Sequence, residues 1–198
     1  MFKKIDKEQI DAWVERAYAN AKRHGWHEKE KSDKHWLMMI ATEIAEAVQA
    51  DRKGRWFDEL TKSGLECVLA NDHHSGLVEK FYEDNIEGTV ESELADICIR
   101  IFDFLGVKGE HINGDIITSQ YNIINFRCSS FTENAFKISN MIFEDEILDD
   151  NLRVTFLSSA LRYMFQWAEA VGVNLQQQIE LKMRYNESRE YMHGGKKY

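Results

Sequence analysis

The chain contains no proline. Proline ends helices and stiffens loops, so its absence leaves helix boundaries to glycine and to capping side chains. Cysteine is scarce as well. Cys67, Cys98 and Cys128 are odd in number and form no C-x-x-C pair, which argues against a disulfide framework or a zinc site and for reduced thiols in a cytoplasmic setting. No apolar run approaches the ~20 residues of a membrane span, and the opening MFKKIDKEQ is not a signal peptide. Basic charge is in deficit, with a formal net charge of −9. Phosphate neutralisation needs a basic face, so a surface given over to nucleic acid is excluded. A Gly-rich phosphate loop, a G-x-S-x-G elbow and a Cys/His zinc spacing are all missing.

What is present is ordinary globular material. At 198 residues, 43% hydrophobic and 30% charged, the chain has enough apolar surface for one domain. The apolar spacing is helical. A first helix is expected from about Ile5 to Arg23, with Ile10, Trp13, Val14 and Ala17 inward and Gly25 ending it. A second starts at Ser32 or Asp33 and carries Leu37, Ile40, Ala41, Ile44, Ala45 and Val48 to near Gly54. Residues 55–88 have weak periodicity and read as an insertion with one or two short helices. Thr89 caps the next helix, whose core face is Leu94, Ile97, Ile101 and Phe104 or Leu105.

Residues 106–150 begin irregularly, with strand-like patches at Ile116–Ile117 and Ile123–Phe126. Ser130 and Glu133 then form a capping box for a helix to about Glu146. Further helices are expected from about Asn151 to Val171, and from Asn174 to about Tyr191. The pattern describes a mostly α, single-domain helical bundle.

Two acidic pairs stand out on this frame. Glu43 with Glu46, and Glu93 with Asp96, each have i, i+3 spacing beside an apolar stripe. Such residues share a helix face, about 5–6 Å apart at Cβ. Four carboxylates brought together between two helices repel unless a hard cation neutralises them, and Mg²⁺ takes oxygen ligands. Solvated surface acids are the bland alternative, but two pairs each flanked by apolar residues favour a metal site. Arg100 lies one turn beyond Asp96 and is placed to pair with it or orient it; Asp103 continues the polar ridge.

The last helix adds cations. Lys182, Asn186 and Arg189 fall on one face, followed by Lys196 and Lys197 beyond Gly194–Gly195. A point charge, an amide and a planar guanidinium suit a polyphosphate. Cations near a helix C-terminus also complement its dipole, which accounts for the cations but not for Asn186. Other features carry less. Asp72-His73-His74 is not the order of metal phosphohydrolases. His24 and His27 straddle a helix break, and Glu190 with His193 is a lone Glu-x-x-His. Trp13, Trp36 and Trp167 read as core, and Trp26 and Trp56 as the better stacking candidates.

Glu43-x-x-Glu46, Glu93-x-x-Asp96 within ESELADI, and Lys182-x-x-x-Asn186-x-x-Arg189 together resemble the all-α NTP pyrophosphatase superfamily. That group includes MazG-like proteins, dimeric dUTPases and dCTP pyrophosphatases. AKRHGW near the start and HGGKKY at the end are also similar to short MazG-like proteins. The resemblance implies a MazG-like bundle over residues 1–198, with irregular insertions at about 55–88 and 106–150. It further implies hydrolysis of the α–β bond of a nucleoside triphosphate, to monophosphate and pyrophosphate. Glu43, Glu46, Glu93 and Asp96 would hold Mg²⁺ (Mn²⁺ being the alternative), with Glu43 or Glu46 accepting the proton of the attacking water. Lys182, Asn186, Arg189 and Lys196 would bind substrate in a homodimer or homotetramer. Thr42 stands where the family carries a further glutamate, which removes one candidate base. That departure and the insertions support an alternative, a catalytically weak nucleotide-binding or regulatory helical protein. A third reading is a structural helical oligomer with decorative acids.

Overall fold

Thr89 accepts a hydrogen bond from the Ser92 backbone N–H through its side chain, which satisfies one of the donors that a helix start leaves open. It thereby opens the helix around which the rest of the chain is arranged. In the computed structural model, which describes residues 3–71, 76–118, 124, 126–143 and 150–192, this helix is α5 (Val90–Lys108). Before it come α1 (Lys7–Arg23), α2 (Asp33–Arg52), α3 (Glu59–Ala70) and α4 (Leu77–Asn85). After it come α6 (Phe131–Phe143), α7 (Asp150–Ala170) and α8 (Leu175–Ser188). The fold is all-α, with one small antiparallel ribbon pairing β1 (Lys3–Ile5) with β2 (Ile116–Thr118), Ile5 opposite Ile116.

α5 packs against α1, α2, α7 and α8. Neighbours on several sides bury most of this helix, its polar ridge included, and its buried apolar set includes Val90, Leu94, Ile97, Ile101, Phe104 and Leu105. The inward face expected for α1 is the observed one: Ile10, Trp13, Val14 and Ala17 are all buried. On α2 the stripe is rotated slightly from expectation. Ala45 is exposed, while Trp36, Ala47 and Ala50 join the core. Trp13, Trp36 and Trp167 are core residues.

Three boundaries differ from the sequence reading, each for a physical reason. Ile5 belongs to β1, because its backbone pairs with β2 before α1 begins at Lys7. Gly106 does not end α5; a Cβ there would collide with Tyr18 of α1, so the missing side chain lets the two helices approach, and the helix runs on to a left-handed cap at Gly109 (φ 67°). α8 stops at Ser188, since Arg189 is already extended (φ −72°, ψ 157°).

The region 55–88 contains two helices, α3 and α4. They form a smaller core of their own with α8, in which Leu65, Val78, Tyr82 and Ile86 meet Leu181 and Tyr185. The Ser130–Glu133 capping box is present, Glu133 accepting from the Ser130 backbone N–H at 2.6 Å. Of the strand-like patch expected at Ile123–Phe126, the described residues Ile124 and Phe126 are helical rather than extended; the end expected for the later helix near Glu146, and His73–His74, lie outside the described residues. Cys67, Cys98 and Cys128 are free thiols. Among the described residues, no helix is long and apolar enough to cross a membrane.

Candidate metal centre

The two acidic pairs sit on α2 and α5, and those helices pack face to face. Carboxylate oxygens of Glu43, Glu93 and Asp96 come within 4.8 Å of one another. Glu46 lies one turn beyond Glu43, outside that group, and is exposed on the wall of the same cleft. The cleft encloses about 440 Å³, which falls in the range of small-molecule sites. Its far wall belongs to α8 and α1.

Two cations enter the acid group. Arg100 Nε donates to Glu43 Oε1 at 2.8 Å, so Arg100 ties α5 to α2 rather than pairing along its own helix. Asp96 instead takes Lys182, whose Nζ lies 2.8 Å from Oδ2. Lys182 is only 5% exposed. Its ammonium also reaches Ser92 Oγ at 3.4 Å and stands 5.6 and 5.7 Å from the ring centroids of Tyr82 and Tyr185. Further along the ridge, His27 Nε2 lies 2.7 Å from Asp103 Oδ1, and the carboxylate accepts.

The electrostatics follow from this packing. Burial, with Asp96 adding repulsion, pushes the Glu93 carboxyl up to about 8. Burial also raises Asp96 against the pull of Lys182. For Lys182 the balance runs the other way: burial, the largest single influence, draws the ammonium down, but Asp96 together with Tyr82 and Glu93 outweighs it and the group is held protonated. Arg100 is likewise held charged by Glu43 against its burial. With Arg100 on Glu43 and Lys182 on Asp96, Glu93 is the carboxylate left over. It is 7% exposed, and its Oε2 is buried without a hydrogen-bond partner among the described residues. An all-oxygen donor set with one unsatisfied buried oxygen fits a hard divalent cation.

The remaining expected site residues are placed differently from one another. Asn186 lines the cleft, is 8% exposed, and has no partner for its buried Oδ1 among the described residues. Arg189 follows the helix instead of continuing its face. Its guanidinium lies 5.4 Å from the Tyr185 ring centroid and 3.5 Å from Glu87 Oε1, at the cleft rim. Lys196 lies outside the described residues. Thr42 also lines the cleft, and its hydroxyl donates to the Met38 carbonyl at 3.0 Å. Of the two stacking candidates, Trp26 faces the cleft, whereas Trp56 packs edge-on against Phe131.

Sequence reasoning missed Ser92 and Tyr82, and set His27 aside because it lies beyond a helix break. Ser92 was legible, because it stands four residues before Asp96 and so on its face. Tyr82 and His27 reach the site from separate elements, and helical spacing carries no signal for them. No family model matches the chain, and no curated protein or solved structure matches it significantly.

Proposed function

We propose that the protein is a Mg²⁺-dependent nucleoside triphosphate pyrophosphohydrolase of the MazG-like kind. The observation that carries this reading is the convergence of Glu43, Glu93 and Asp96 on one cleft, with a buried oxygen on Glu93 that has no partner among the described residues. Across that cleft stand the amide of Asn186 and the guanidinium of Arg189. Mg²⁺ (or Mn²⁺) held by those three carboxylates supplies charge neutralisation and Lewis acidity at the phosphate oxygens.

The chain's own residues do the rest. Arg189 at the rim and Asn186 on the wall hold and orient the polyphosphate, because positioning and electrostatics carry most of phosphoryl transfer. Glu46, on the cleft wall outside the three-carboxylate group, accepts the proton of the water that attacks the α-phosphorus. The α–β anhydride bond breaks, and pyrophosphate leaves as its charge is met by the cationic rim. The three free thiols suit a reducing, cytoplasmic setting. A homo-oligomer is part of the same reading.

One observation favours a second reading, a nucleotide-binding or regulatory protein with weak catalysis. Arg100 and Lys182 already neutralise two of the three clustered acids. A pyrophosphate-release screen over standard and modified nucleoside triphosphates with Mg²⁺ separates the two. The enzyme reading expects release from at least one triphosphate and its loss on Glu43→Gln or Asp96→Asn. Nucleotide binding by calorimetry without turnover supports the second reading. Absence of both Mg²⁺ binding and pyrophosphate release overturns the first.

A further inference from the structure

Tyr82 is a fully buried polar group beside the site, and the function proposed above makes no use of it. It comes from α4, inside the segment that resembles an insertion, and it is 0% exposed. Its hydroxyl donates to Ser92 Oγ at 2.9 Å, and the same Ser92 oxygen accepts from Lys182. Its ring stacks on Tyr185 at 4.9 Å, so the two rings make adjoining walls around the Lys182 ammonium. The ammonium stands beside this stacked pair, within about 6 Å of both ring centroids, where an aromatic ring attracts a cation and does so more strongly where water is excluded. Lys182 is thus held by the Asp96 carboxylate, the Ser92 hydroxyl and the two neighbouring tyrosine rings.

We infer that Tyr82 is a positioning residue, through which the α3–α4 helices hold Lys182 on Asp96 as a resident counter-cation, in competition with a divalent ion for that carboxylate. The geometry leaves little room for both partners at full strength. Lys182 sits at hydrogen-bond distance from Asp96 Oδ2, and Asp96 shares the 4.8 Å group with Glu43 and Glu93. A divalent ion entering that group draws on the same carboxylate charge. The segment 55–88 thus acts on the site through Lys182, setting how tightly the acids take a cation and keeping them folded together when none is bound. This inference rests on the metal-site reading.

The test is Mn²⁺ binding, measured by calorimetry and by electron paramagnetic resonance on the full chain, without nucleotide. Lys182→Met should tighten Mn²⁺ binding at least about tenfold, since a unit charge beside the ion is removed from a weakly screened site. Tyr82→Leu should tighten it in the same direction and should have no further effect in the Lys182→Met background. Should Tyr82→Leu not fold, the wild-type protein serves. The Lys182 ammonium, assigned by its disappearance in Lys182→Met, should give a slowly exchanging nitrogen–proton signal that shifts and exchanges faster as Mg²⁺ is added. The inference is overturned if wild type binds Mn²⁺ and Lys182→Met leaves the affinity unchanged or weakens it. Equal effects of Tyr82→Leu in both backgrounds, or an ammonium signal indifferent to saturating Mg²⁺, overturn it too. If neither wild type nor Lys182→Met binds Mn²⁺, the metal-site reading itself fails.

Discussion

Arg100 reaches across from α5 to Glu43 on α2, Nε to Oε1 at 2.8 Å. The contact does what an intrahelical pair with Asp96 would not, because it holds together the two helices that carry the acids. Glu43 is buried, so removing its partner leaves a poorly solvated carboxylate. An exposed pair is worth under about 1 kcal/mol, whereas breaking a buried one costs several. Because the Arg100 side chain is itself 31% exposed, Arg100→Met should lower unfolding free energy by about 1–3 kcal/mol in urea titrations, the usual cost of leaving a buried acceptor unsatisfied. Mg²⁺ should recover more stability in this variant than in the wild type. Loss of under half a kcal/mol, with no change in the Mg²⁺ effect, would mean that the pair is decorative.

The Glu93 carboxyl, raised from its ordinary 4.5 to about 8 chiefly by burial, makes metal-free stability depend on pH. Between those values the folded chain holds a proton that the unfolded chain has released. The folded state binds more protons, so unfolding free energy falls as pH rises. The contribution is greatest at the acid end and is lost as pH climbs through about 8. The metal-free melting temperature should accordingly decline across this window, and Glu93→Gln, neutral throughout, should flatten the decline. Mg²⁺ requires the ionised carboxylate, so its stabilising effect should grow over the same range. A wild-type profile indistinguishable from that of Glu93→Gln would remove Glu93 from the account.

Gly106 sits inside α5, where glycine is intrinsically worse than alanine by ~0.8–1.0 kcal/mol. On propensity alone, Gly106→Ala should stabilise the protein. The structure reverses that sign, because the added Cβ meets the Tyr18 side chain of α1. Overpacking of this kind costs about 1–3 kcal/mol, and thermal unfolding should show the variant less stable than wild type. A rise in melting temperature would mean that α1 shifts aside freely.

Much of this arrangement was readable before the helices were assembled. The stripes of α1 and α5, the Thr89 cap and the acidic pairs depend on local periodicity, which the chain states residue by residue. Gly106 shows where local reading stops. The same glycine that suggests a helix end is, once Tyr18 is beside it, a requirement of close packing. Partner choice was also hidden. Asp96 had Arg100 one turn away, yet Lys182 from α8 occupies it, while Arg100 turns to Glu43. Ion pairs form with whatever the tertiary fold brings nearest, and helical spacing ranks only neighbours on the same helix.

The division of labour between Glu43 and Glu46 is the point at which binding and catalysis can be separated. Both belong to one i, i+3 pair, yet only Glu43 joins Glu93 and Asp96 in the described group, while Glu46 stands exposed on the cleft wall. With Thr42 in the preceding position and its hydroxyl turned to a backbone carbonyl, the proposed reaction gives Glu46 the role of proton acceptor. Glu46→Gln keeps the shape and removes the proposed base. Mg²⁺ affinity should stay within about threefold of wild type, since a solvated charge outside the group contributes under about 1 kcal/mol. Pyrophosphate release, by contrast, should fall by about 10²–10⁴, the usual worth of a general base. Glu43→Gln should lose Mg²⁺ binding and turnover together. If Glu46→Gln instead loses Mg²⁺ as completely as Glu43→Gln does, Glu46 is a ligand, and the proton must go to another group on the cleft wall.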